Sequence, residues 1–345
     1  MKEPPMDALH HPARDTSVAQ APALSHLSES KSRRFGLTVG PVLYLWSRAR
    51  LLDFYAGIAE SPADCVVLGE VVCARRRELR LDDWLALARE LTQAGKQVIL
   101  ATQALVETEA DLRLIERHAD LACHAVEAGD ASALALLRGR VPLVLGPHVN
   151  VYSQAALREH ADLGVLRWVP PLELSLAAVA HINPAGQPVR GPDGGAIVTE
   201  VWAFGRLPLS FSARCFTARH AGVPKDQCGY PCMDDPDGRL VRSTEGQSFL
   251  VLNGTQIQSA GVHNLLEHGA ALASCGATRV RLSPQSSGFT KVIEDFDAVL
   301  NGDQPAEGRL AGWAEAGVPR PLVTGYAFGG AGMNTVQAEV AGVDA

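Results

Sequence analysis

The chain has 345 residues, 47% of them hydrophobic and 20% charged, with a formal net charge of −7. That balance suits a well-buried enzyme and excludes a general nucleic-acid binder, which needs a clustered positive surface to neutralise phosphates. No run approaches the roughly 20 apolar residues that span a bilayer, and residues 1–34 mix Pro, Ser, His and charges without an apolar stretch of signal-peptide type, so a disordered tail and a cytoplasmic location are expected.

Beyond that tail, apolar runs of strand length alternate with amphipathic helical stretches. The strand candidates are Gly36–Tyr44, Cys65–Gly69, Gln97–Thr102, Leu121–Val126, Leu143–Val149, Leu166–Val169, Thr199–Phe204 and Arg279–Leu282. Between them lie helix candidates at Ala49–Ile58, Leu81–Ala94, Glu107–His118, Ala131–Arg138, Ser153–Leu163, Leu174–His181 and Gly261–Ser274. Strands joined by helices in this rhythm predict an α/β chain with a closed parallel sheet, a TIM-barrel-like (β/α)8 fold. One barrel domain over residues 35–300 accounts for the pattern, with 301–345 as a C-terminal extension. An extra strand candidate, Phe249–Leu252, and a cysteine-bearing loop after strand seven make the barrel irregular, and the Pro- and Gly-rich Asn183–Gly195 reads as an exposed loop.

That loop carries the strongest chemical signal. Cys215, Cys228 and Cys232 lie between Ser212 and Cys232, broken by Gly222, Pro224, Gly229 and Pro231, as in a loop folded back so that its sulfurs converge. Seven cysteines, an odd number, in a reducing compartment favour metal ligation or buried thiols over a disulfide framework. Four thiolates complete a tetrahedral zinc site or the corners of an iron–sulfur cluster, so the loop needs one more ligand. In a barrel of this kind the chemistry sits at the carboxyl ends of the strands. Cys73 follows strand two on that face and is the natural fourth ligand; a plain buried thiol is its alternative reading. Cys65, Cys123 and Cys275 sit inside predicted elements, where cysteine behaves as a small hydrophobe.

Other strand ends carry weaker candidates. Arg75, Arg76, Arg77 and Arg80 suit either an anionic substrate or a solvated helix start of mixed charge. His148 and Asn150, after strand five, can hydrogen-bond a substrate or tie loop backbone. Glu173, after strand six, is a candidate base or arginine partner, although Glu173 and Ser175 equally fit caps of the next helix. His263, Glu267 and His268 lack the His-Glu-x-x-His spacing and read as structural, and no Gly-x-Ser-x-Gly elbow or P-loop is present.

Six separated blocks then point to a family: Gly40–Tyr44, Leu68–Arg77, Ser212–Arg219, Pro224–Cys228, Val251–Gly254 and Val280–Pro284. In this order they closely resemble an iron–sulfur branch of the collagenase-like peptidase family, over about Phe35 to Val299. The resemblance implies a [4Fe-4S] cluster on Cys73, Cys215, Cys228 and Cys232. It also implies a heterodimer with a UbiU-type iron–sulfur partner, working with a lipid-binding accessory protein and a ubiquinone precursor. The implied activity is oxygen-independent hydroxylation of the aromatic ring in anaerobic ubiquinone biosynthesis, with prephenate as oxygen donor. Glu70, His148, Asn150, Glu173 and Arg281 form the candidate substrate-binding set. Where the peptidase branch has a further Gly-x-Cys segment near Cys215, this chain runs Phe216-Thr217-Ala218-Arg219. The competing expectation is a zinc-stabilised peptidase in which Glu70, His148 and Glu173 supply acid–base chemistry; a non-catalytic scaffold is the third.

Overall fold

The computed structural model of the chain describes residues 35–121 and 124–336. The expected tail over residues 1–34, Cys123 and the end of the extension lie outside them.

The first half keeps the expected alternation: β1 (Gly36–Val39), α1 (Arg48–Glu60), β2 (Cys65–Leu68), α2 (Leu81–Gln93), β3 (Gln97–Ala101), α3 (Glu109–Leu121), β4 (Ala125–Ala128), α4 (Ala131–Leu137), β5 (Leu143–Leu145), α5 (Gln154–Asp162), β6 (Val165–Trp168), α6 (Leu176–Ile182) and β7 (Val198–Phe211). Local chemistry starts the helices where it should. The side chains of Asp130, Ser153 and Ser175 accept from Ala133, Ala156 and Ala178 N–H at the first turns of α4, α5 and α6, satisfying donors that have no partner within the helix. The strands before β7 are short and mostly apolar, as befits a parallel sheet covered on both faces: Cys-Val-Val-Leu of β2 is buried at every position.

After β7 the alternation breaks. A short α7 (Phe216–His220) is followed by three antiparallel strands, β8 (Arg239–Arg242), β9 (Ser248–Asn253) and β10 (Gln256–Asn264), then α8 (Gly269–Ser274), β11 (Ala277–Leu282), α9 (Phe289–Leu300), α10 (Arg309–Glu315) and β12 (Leu322–Val323). The barrel nevertheless closes. Strands β1 to β7 pair in sequence and in parallel, and β11 pairs in parallel with both β7 and β1, giving eight strands around a filled interior. The surplus strands grow from one unusually long member. The first part of β7 lies between β6 and β11, while its far part pairs antiparallel with β10, which in turn carries β9 and β8.

The sheet extension corrects the expected helix Gly261–Ser274. Its first part is strand: Val262, His263 and Asn264 pair with Arg206, Gly205 and Phe204 of β7, and only Gly269–Ser274 is helical. Backbone pairing on both sides overrides local helical periodicity. Gly261 permits it, since a Cβ there would stand 2.7 Å from Val323 Cγ1 on β12. His263 and His268 therefore share no helix face. The extension from residue 301 is packed into the fold through Trp313, fully buried, edge-on to Phe204 and stacked on Phe296, with its indole N–H donating to Asp295 at 2.8 Å.

Inside the barrel the residues are not all apolar. Arg281 is completely buried, donating to Glu127 through both terminal nitrogens (2.9 and 2.5 Å) and to Glu200 at 2.6 Å. Arg167 donates to Glu200 at 3.0 Å, Thr38 donates to it at 2.9 Å, and Arg279 stands 3.7 Å away. Burial alone would raise the pKa of Glu200, but Arg281, Arg167 and Arg279 outweigh it and hold the carboxyl at about 2.

Candidate functional site

Two stretches meet at the carboxyl end of the barrel, the loop after β2 and the loop after β7. The first begins Gly69-Glu70. The Glu70 carboxylate turns back to accept the N–H groups of Val72 (2.8 Å) and Cys73 (3.0 Å), fixing the backbone that presents the Cys73 thiol. Burial raises the pKa of Glu70 against the opposing pull of Arg76 and of these two N–H groups. Burial likewise pushes the Cys73 thiol up.

Arg76 departs from the expected solvated run of arginines. Its side chain is 1% exposed. One terminal nitrogen donates to Leu43 O and the other to Asn253 Oδ1, each at 2.8 Å, and its own N–H returns to Cys73 O at 2.9 Å. Arg75 reaches across to the second loop and donates to Asp226 O at 2.7 Å, while the exposed Arg77 fits the solvated reading. The first strand end is therefore a turn that puts one guanidinium inside, not the start of a charged helix; α2 begins only at Leu81.

The second loop carries Cys215 at the N-cap of α7, where its sulfur accepts from Ala218 N–H at 3.4 Å, then Cys228 capping one short 3-10 turn and Cys232 inside a second. Three contacts dock this loop on the rest of the rim. Tyr230 donates its hydroxyl to Arg75 O at 3.0 Å, Arg75 holds Asp226 O, and Lys225 bridges Glu107 and Ala213 O.

The turn between β9 and β10 clamps both stretches. Asn253 binds Arg76 and donates to Leu43 O at 2.8 Å; Thr255 Oγ1 donates to Val72 O at 2.5 Å. On its other side Gly254 O accepts from Phe216 N–H at 2.8 Å, Gly254 N–H donates to Thr217 Oγ1 at 2.9 Å, and Thr255 O accepts from Ser212 N–H at 2.9 Å. Three consecutive residues thus tie the Cys73 loop to the Cys215 loop. Gly254 adopts φ +63, a conformation that glycine takes without a Cβ penalty. The sequence offers Phe249–Leu252 as a strand and Val251–Gly254 as a family block; Asn-Gly after an apolar run is the hairpin signal that marks the turn.

Cys73, Cys215, Cys228 and Cys232 are all free and half-buried. Cys232 interacts electrostatically with both Cys215 and Arg76, and Arg76 with Cys73, so three of the four thiols belong to one electrostatic neighbourhood. Among the described residues no group of three or more His, Cys, Asp or Glu stands at metal-coordinating spacing. The donor set fits a thiolate-bound metal group in kind: four reduced sulfurs on two docked loops beside a buried cation. Cys65 and Cys275 are buried in the fold away from these loops; the Cys65 sulfur accepts from Arg167 at 3.6 Å and Cys275 donates to Leu272 O at 3.1 Å.

The remaining candidates are distributed around the same end. His148 packs edge-on to Phe211 at 4.7 Å between ring centroids; burial first, and the charge of Arg281 second, lower its pKa to about 4, so it is a neutral imidazole at physiological pH. Asn150 is exposed. Glu173 is exposed and accepts the Tyr152 hydroxyl, while Ser175 alone caps α6. Arg281 sits below them in the barrel interior, saturated by Glu127 and Glu200. Among the described residues no hydrogen bond joins Glu70, His148 and Glu173 to one another. His263 is buried in β10, its pKa lowered to about 4 by burial and then by His268. No helix among the described residues is long and apolar enough to cross a membrane.

Comparison with known proteins gives a family model, peptidase family U32, matching residues 54–292, more than half of the chain. Among solved structures, a U32 peptidase is similar at 10% identity, covering 76% of this chain and 98% of that one with a TM-score of 0.40. Burkholderia cenocepacia dihydropteroate synthase, complexed with 7,8-dihydropteroate, is similar at 15% identity, covering 76% and 90% with a TM-score of 0.38. The Bacillus megaterium spore cortex-lytic enzyme SleL is similar at 11% identity, covering 77% and 75% with a TM-score of 0.38.

Proposed function

This chain belongs to peptidase family U32, and from that premise we propose that it is an iron–sulfur member of the UbiV type, a cytoplasmic subunit required for oxygen-independent ring hydroxylation in ubiquinone biosynthesis. The observation that carries the reading is the pairing of two loops, one bearing Cys73 and the other Cys215, Cys228 and Cys232, with all four thiols free and both loops held by one hairpin turn. Four free thiols on two docked loops are a ligand set that a [4Fe-4S] cluster takes; the competing peptidase would hold a colourless zinc on the same set.

Cys73, Cys215, Cys228 and Cys232 would hold the cluster, which when bound supplies single electrons at a potential set by surrounding hydrogen bonds and exposure. The chain's own residues prepare that place. Glu70 shapes the Cys73 loop by accepting two backbone N–H groups, and Tyr230, Arg75 and Lys225 hold the second loop down. Neutral His148 offers hydrogen bonding without charge, and Asn150 and Glu173 project from the neighbouring loops, so these three with Glu70 form the substrate-facing set we propose. Arg281 supports the set from beneath, through its charge on His148. A UbiU-type partner, a lipid-binding accessory protein presenting the ubiquinone precursor, and prephenate as oxygen donor complete the system.

Anaerobic purification with a visible spectrum and iron, sulfide and zinc analysis tests the centre. A brown protein with about four irons and four sulfides per chain, lost in Cys73→Ala, is expected. A colourless protein holding zinc and cleaving peptides overturns the reading in favour of the peptidase. A deletion strain that makes ubiquinone normally without oxygen, with no paralogue present, defeats the pathway assignment.

A further inference from the structure

Arg76 is a buried cation whose carboxylate neighbour stands beyond hydrogen-bond distance. Its guanidinium is buried, and two terminal nitrogens are committed to neutral acceptors, Leu43 O and Asn253 Oδ1. The carboxylate beside it, Glu70, stands 3.8 Å away and already serves the N–H groups of Val72 and Cys73. Among the described residues the Arg76 Nε–H has no hydrogen-bond partner. A buried charge in this state calls for further negative charge nearby. Its own backbone N–H binds Cys73 O at 2.9 Å, and its charge is felt by Glu70 first and then by Cys232 and Cys73.

We propose that Arg76 is a positioning residue of the cysteine centre, its guanidinium locked by Leu43 and Asn253 so that a fixed positive charge stands beside Cys73 and Cys232 and raises the reduction potential of whatever cluster they bind. The inference rests on the iron–sulfur reading. Four thiolates and a cluster carry net negative charge, and taking up one electron from an external reductant adds one more unit of it. A fixed cation close by favours the more negative, reduced form, and hydrogen bonds to sulfur act in the same direction. Arginine suits the role because its planar fork holds neutral acceptors on one side while presenting donors on another; lysine offers the charge without that fixed geometry.

The test compares anaerobically reconstituted wild type, Arg76→Gln and Arg76→Lys by iron and sulfide content and by EPR-monitored redox titration. Arg76→Gln is expected to bind the cluster and shift its oxidised-to-reduced ratio at fixed poise at least tenfold toward oxidised, about 59 mV for one electron, while Arg76→Lys recovers part of the shift. Arg76→Gln with full iron content and an unshifted potential overturns the inference and leaves the iron–sulfur reading standing. Wild type that takes up no iron overturns both. Where Arg76→Gln does not fold, wild type labelled with 15N-guanidino arginine decides: pulsed EPR of the reduced protein shows nitrogen coupling if the guanidinium faces the cluster, and its absence refutes the assignment.

Discussion

Replacing Arg281 by Met distinguishes an interior support from a residue that touches substrate. The guanidinium makes two bonds to Glu127 and one to Glu200, with no exposed surface. Glu200 keeps Arg167, Arg279 and Thr38 after the change, but among the described residues Glu127 has no other ion-pair partner. The cost is therefore that of one carboxylate left buried and unpaired, about 3–5 kcal/mol, against a total stability of about 5–15 kcal/mol for an ordinary domain. Urea unfolding at neutral pH, followed by circular dichroism, should show the midpoint drop with the slope unchanged. Adding Glu127→Gln removes the stranded charge and should restore more than about 1 kcal/mol, since residues in contact couple. If Arg281→Met costs less than about 1 kcal/mol and the double variant is no better, the network reasoning fails. A stable variant defective only in substrate affinity would place Arg281 at the site itself.

Glu200 gives the fold an acid dependence: its carboxyl is held at about 2 against an ordinary 4.5, so its contribution is complete above 4.5 and disappears as the pH falls through 2. A loss of about 3 kcal/mol over that interval is expected in wild type, measured by urea midpoints at successive pH values, and Glu200→Gln should lack it. Gly254→Ala places a Cβ 2.8 Å from Arg76 Nη2 in a left-handed turn; a loss of about 1–2 kcal/mol is expected from the backbone alone, seen as a lowered Tm with reduced iron retention. Trp313→Ala should cost about 3–5 kcal/mol by calorimetry, because the extension it anchors is part of the core. His148 should stay neutral in an NMR titration until the pH approaches about 4; titration near the ordinary value would show it open to water.

The amino-acid sequence marks the eight barrel strands and their order, because short apolar runs separated by amphipathic helices leave a parallel barrel as the economical way to bury both faces; only the fourth is displaced, from the expected Leu121–Val126 to Ala125–Ala128, since Leu121 closes α3. It also marked the four cysteines, since thiols in a Gly- and Pro-rich loop stand out by type and spacing. Tertiary structure decided the rest. The strand pairing of Val262–Asn264 comes from β7 and β12, partners remote in sequence, and so overrode the helical pattern there. Arg76 and Arg281 read as surface or substrate-facing charges because an arginine's neighbours along the chain say nothing of whether it turns inward. One is buried between Leu43 and Asn253, the other between Glu127 and Glu200. The hairpin clamp was hidden for the same reason: Asn253, Gly254 and Thr255 act through backbone groups of loops that lie far away in the chain. Periodicity records which face of an element meets the core; only the closed barrel determines which distant backbone and which counter-charge a polar side chain finds there.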